Sequence, residues 1–153
     1  MVKLADVPEP ERSAIRGFAC PVFHHTPFAD APPPGRRHAA LVSSAGFVLR
    51  GERPLLGRDT GYRAIPSAAG DGDVLCSHVS TNFDRTGFQQ DLEVMLPRRG
   101  LQALAAGGVI GVAADTHYSF MGATEPEKLE GKARELGRKL VAGGVNCVVL
   151  APV

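Results

Sequence analysis

The chain has 153 residues, 44% of them hydrophobic and 22% charged, which is enough for one compact domain with a real core and leaves no room for two full ones. Seventeen basic residues against sixteen acidic ones leave a net charge of +1, and no block of like charge supplies a footprint for nucleic acid. No apolar run approaches the roughly 18 residues of a membrane span, no secretory-type stretch opens the chain, and three widely spaced cysteines make no disulfide framework. The expectation is a reduced, cytoplasmic protein with no nucleic-acid or membrane partner.

In chain order, seven of the twelve prolines fall within the first 34 residues. Proline removes an amide donor and steers the preceding residue away from the helical region. Residues 1–36 therefore read as an extended Pro-rich arm, with Phe18, Phe23 and Phe28 as anchors. Cys20 and His24–His25 lie inside it, but their spacing has no second half of the kind a zinc site needs, so no metal is expected.

Residues 37–153 read as an α/β domain. Ala39–Val42 is a short buried strand that ends in the small-residue turn Ser43-Ser44-Ala45-Gly46. Residues 50–72 have no period and read as a long loop, whose arginines are solvated charge or an anion grip. Val74–Cys76 is a second short strand running into His78.

A helix is expected over 97–108, opened by Pro97 and stopped by Gly107-Gly108, then a buried strand over 109–114. A second helix opens at Thr124, with Glu127 at capping-box spacing. Leu129, Ala133, Leu136 and Leu140 draw one apolar stripe, and Glu130–Arg134 and Glu135–Lys139 are expected pairs. Gly143-Gly144 stops this helix before an apolar strand over 145–153. Leu104–Val112 and Leu140–Val148 echo each other at a spacing of 36, the span of one strand–helix–strand unit. The fold class is α/β with a mainly parallel sheet and flanking helices, in Rossmann-like or flavodoxin-like layers.

In such sheets ligands bind outside the carboxyl ends of the strands. Residues 115–122 (DTHYSFMG) are expected to be a polar loop at such an end, next to the end of strand 145–153. His117, Tyr118 and His78, at strand ends, are the catalytic candidates. Ser43, Ser44, Asp84, Asp91 and Ser119 are the substrate-binding candidates, with turn and cap roles as the competing reading for the aspartates and serines. Cys76 and Cys147 fall in apolar strands as inert core thiols, and no phosphate loop of the usual spacing is present.

The segments SSAGFVLRG (43–51), DTGYRAIPS (59–67), 77–104, GGVIG (107–111), HYSFMG (117–122) and CVVLAPV (147–153) resemble the selenoprotein B family. These are the selenocysteine-containing subunits of glycine, sarcosine, betaine and D-proline reductases. The resemblance runs from about residue 30 to Val153, and departs at Asp91-Leu92-Glu93 and in a longer stretch after His78.

It implies an oxidoreductase subunit whose selenocysteine immediately follows Val153, so that residues 37–153 form an α/β domain incomplete at its carboxyl end. The chain carries no other cofactor. It also implies reductive cleavage of a C–N or similar bond in a small amino-acid-like substrate. Thiols supply the electrons and other reductase subunits are the partners, while residues 1–153 are inactive alone. The alternative reading is a non-catalytic α/β domain that binds a ligand or partner. An apolar terminal strand without cover is further expected to favour self-association.

Overall fold

A computed structural model describes residues 3–17, 22, 29–80 and 85–153. Cys20, His24, His25, Phe18, Phe23, Phe28 and Asp84, singled out above, lie outside the described residues. The chain divides into two compact units, Met1–Asp30 and Ala31–Val153.

In the first unit α1 (Glu11–Gly17) is helical, where the proline count suggested extended chain throughout. The Ser13 amide and hydroxyl both donate to the Glu9 carboxylate, which supplies the free amides of the first turn with an acceptor.

The second unit runs β1 (His38–Ser43), β2 (Phe47–Leu49), β3 (Tyr62–Pro66), β4 (Val74–Cys76), α2 (Thr86–Gln90), α3 (Arg98–Ala106), β5 (Val112–Ala113), β6 (Thr116–Phe120), α4 (Pro126–Ala142) and β7 (Cys147–Ala151). It is an α/β fold with a mixed, mostly parallel five-stranded sheet and helices. β5, β6 and β7 are all parallel to β1, while β3 closes the far edge antiparallel to β6. β2 and β4 form a separate antiparallel pair. No helix among the described residues is long and apolar enough to cross a membrane.

Ala39 faces both Ala113 and Cys147, and Ser43 faces both Ser119 and Ala151. β5 and β6 therefore share one edge of β1, and β7 takes the other. The two echoing units are parallel as expected, but β1 lies between their strands.

The echo has a local cause. Val109 and Gly108 donate to Leu104 and Ala105, and Val145 and Gly144 donate to Leu140 and Val141. Both are the same glycine helix stop, with Gly108 at φ 71 and Gly144 at φ 78. Beyond the stops the likeness ends, since Cys147 is level with Ala113 rather than with Gly111.

One face of the sheet carries α4: Leu136 and Leu140 bury against Ala40, Ala114, Tyr118 and Phe120. Each fully buried leucine contributes about 1.5–3 kcal/mol. The opposite face (Ala39, Leu41, Ile65) packs under Phe47, Val74, Leu96 and Leu101. Arg98 is 2% exposed there and donates to the carbonyls of Pro66 and Ala69 and to Asp71. Glu93 accepts the amides of Arg99 and Gly100, closing the open start of α3 that Pro97 cannot cap. Cys76 and Cys147 are half-buried thiols against this core, and Cys76 Sγ donates to the Ala45 carbonyl.

Several expectations are corrected. Residues 50–72 contain β3, and three of the four arginines there are engaged within the chain: Arg53 with Asp59, Arg63 with Glu52 and Arg50 with Asp73. No capping box opens α4; Glu125 is the N-cap, and Thr124 Oγ1 donates to the Asp59 carbonyl instead. Arg134 pairs with Glu130 as expected, but Glu135 takes Lys132 and the Tyr62 hydroxyl rather than Lys139. The terminal strand lacks cover, as expected: Val148, Val149 and Leu150 are exposed, the last by 70%.

The main correction concerns 115–122, expected as a polar loop. Residues 116–120 are β6, an interior strand between β1 and β3. Thr116, Tyr118 and Phe120 alternate with His117 and Ser119, which is a strand pattern when the polar face finds partners. Between the pairs Ala39–Ala113 and Val42–Tyr118, β1 has two residues and its neighbour has four. The bulge opens the ladder, and His117 turns its ring into the opening.

Candidate functional site

β1, β6 and β7 end on one rim, because parallel strands present their carboxyl ends on one side. There the chain leaves β1 through Ser44 and Ala45 and turns at Gly46, whose φ of 68 suits glycine. The rim is laced by backbone bonds: Ser44 N–H to the Ala151 carbonyl, Gly46 N–H to Phe120, and Gly122 N–H to Ser44. Ser44 Oγ accepts the Val153 amide at 2.8 Å, so Ser44 ties the carboxyl end of β7 to that of β1.

His78, after β4, lies on this rim and is 7% exposed. Its Nδ1 accepts the Ser80 amide, and its carbonyl accepts from Arg85. Burial, and then the Arg85 charge, lowers its pKa, so the ring is neutral with Nε2 as its N–H donor. Gly122 is pressed against it: a Cβ there would lie 2.6 Å from the Ser44 carbonyl and 3.2 Å from His78 Nε2. Beside Ser44 on the α4 side is a groove of about 260 Å³. Val42, Phe120, Leu129, Ala133, Leu150 and Pro152 make it almost wholly apolar.

The other candidates do not gather here. His117 is fully buried, and its Nδ1 accepts the Leu41 amide at 3.2 Å. Burial, and then the nearby Arg98 charge, lowers its pKa to about 4. Tyr118 projects from the opposite face, under α4, edge-on to Tyr62 with Lys139 Nζ 5.7 Å from its ring centroid. Adjacent strand residues point to opposite faces, so His117 and Tyr118 cannot serve one substrate together.

Ser119 Oγ accepts the Phe47 amide, and Ser43 Oγ accepts the Ala45 amide. Asp91 caps the turn at Glu93 and pairs with Arg99, which is its competing cap reading. Of the sequence-derived candidates, the rim holds His78, Ser44 and the buried backbone of Ser43. Sequence reasoning missed Gly122, Gly46 and the groove; the glycine after Met121, at the end of a strand, was the available signal.

Among the described residues no three His, Cys, Asp or Glu side chains gather as a metal site. These features give the chain an α/β fold with a candidate site on the carboxyl-end rim. No protein-family model matches it, and neither a curated protein nor a solved structure does.

Proposed function

We propose that the chain is the N-terminal part of a selenocysteine-dependent reductase subunit. The reaction cleaves a C–N or similar bond of a small amino-acid-like substrate such as glycine, betaine, sarcosine or D-proline. Two thiols become a disulfide as the substrate is reduced. The finer layering of the whole protein is Rossmann-like or flavodoxin-like behind a Pro-rich arm. Its setting is the cytoplasm, with other reductase subunits and a thiol reductant as partners.

The observation that supports this reading best is the Ser44–Val153 hydrogen bond, which holds the end of β7 on the rim beside Gly122 and His78. A residue following Val153 then emerges among strand ends, where α/β proteins carry their chemistry. Selenocysteine there supplies a strong nucleophile that is ionised at neutral pH. This chain's contribution is positional: Ser44 anchors the strand end, Gly122 lets the Ser44 backbone and the His78 ring pack close together, and His78 stands on the rim as a candidate hydrogen-bonding group for the substrate.

The alternative reading, a non-catalytic ligand- or partner-binding domain, draws on the apolar groove and on the separation of His117 and Tyr118 from the rim.

The deciding experiment extends the reading frame beyond codon 153 with selenocysteine, or cysteine in its place, and adds partner subunits and dithiol. Substrate-dependent amine release that residues 1–153 lack, and that His78→Phe abolishes, supports the reductase. An unrelated or empty frame after codon 153 supports the binding domain.

A further inference from the structure

A second cavity, of about 230 Å³, lies at the opposite end of the sheet, where β1 and β6 begin and α4 ends. Its polar lining is His38, Asp115, Thr116, Tyr118 and Lys139. Leu140 and Val145 give it an apolar wall.

Tyr118 is 5% exposed and lines this cavity, and its hydroxyl makes no hydrogen bond to any described residue. Desolvation raises its pKa, so it is a protonated donor at neutral pH. Lys139 stands beside the same ring without a carboxylate, because Glu135 is held by Lys132 and Tyr62. A neutral donor and a cation both line this cavity, and Asp115, exposed and unpaired among the described residues, stands on the same wall.

We propose that this cavity binds a short-chain organic monocarboxylate, its carboxylate between the Tyr118 hydroxyl and the Lys139 ammonium and its apolar body against Leu140 and Val145. Charge-assisted bonds from a hydroxyl and an ammonium are the strong ones for a carboxylate. Lys139 is the cation that offsets one negative group beside Asp115, and a second negative group meets the Asp115 charge without a further ammonium, which disfavours dicarboxylates and phosphate. The site is independent of the reductase reading, being at the other end of the strands.

The test is an amide NMR titration of the 153-residue chain with butyrate, succinate, butylamine and inorganic phosphate. Butyrate should give saturable shifts at residues 114–118 and 143–145, and the other three should not. Tyr118→Phe keeps the ring and its contact with Tyr62, and Lys139→Met changes an exposed position; each should weaken butyrate about tenfold, the loss of one charge-assisted bond. Asp115→Asn should admit succinate. Unmoved amides at these residues, shifts confined to Val42 and Leu150 on the rim, or full affinity in Tyr118→Phe would overturn the proposal.

Discussion

The Leu41 amide donates to Nδ1 of His117 at 3.2 Å, inside the bulge where the neighbouring strand runs two residues long against β1. The imidazole takes the place of a missing backbone carbonyl. An unpartnered buried amide is costly, so the histidine holds the sheet together at this point.

His117→Ala should therefore cost about 2–4 kcal/mol, from an orphaned amide plus a cavity. The pH dependence has a definite sign. The folded pKa of about 4 is below the unfolded value of about 6.5, so the neutral form is the one the fold accepts. Stability is complete above about pH 6.5 and declines as pH falls toward 4, by on the order of 3 kcal/mol. Urea unfolding across this window should show the decline in the wild type and a flatter profile in His117→Ala. Equal slopes would refute the assignment.

Ser119→Ala should destabilise by about 1–3 kcal/mol, because the Phe47 amide loses its 2.9 Å acceptor in a buried setting. Ser119→Thr keeps the hydroxyl and serves as the control. Hydrogen exchange at Phe47 should accelerate in the alanine variant alone; unchanged protection would show that the bond contributes nothing.

Gly122→Ala should disturb the rim. The added methyl would meet the Ser44 carbonyl at 2.6 Å and His78 Nε2 at 3.2 Å, so one of them must move. The expected cost is about 1–3 kcal/mol, typical of overpacking. Ring resonances of His78 and the amide of Val153 should shift together, and an unperturbed spectrum would contradict the packing.

β7 presents Val148, Val149 and Leu150 at 41%, 40% and 70% exposure, with its outer edge unpaired among the described residues. Such an edge invites pairing with another chain. Light scattering should show concentration-dependent association that Leu150→Lys reduces. A monodisperse wild type at high concentration would remove this expectation.

Much of the architecture was legible in the residues. The stripe Leu129, Leu136 and Leu140 announced α4, and the two glycine stops announced where α3 and α4 end, because helix period and left-handed turns are local physics. Ala39–Val42 and residues 145–153 read as strands from their short apolar runs, and β1 and β7 form there. Only the tertiary structure decided what the polar residues do. His117, Ser119 and Ser43 look like chemistry in a sequence, yet they accept amides from Leu41, Phe47 and Ala45, partners set by strand pairing rather than by sequence distance. A polar side chain on an interior strand becomes structural once the fold brings it a backbone donor, and no period or motif records that meeting.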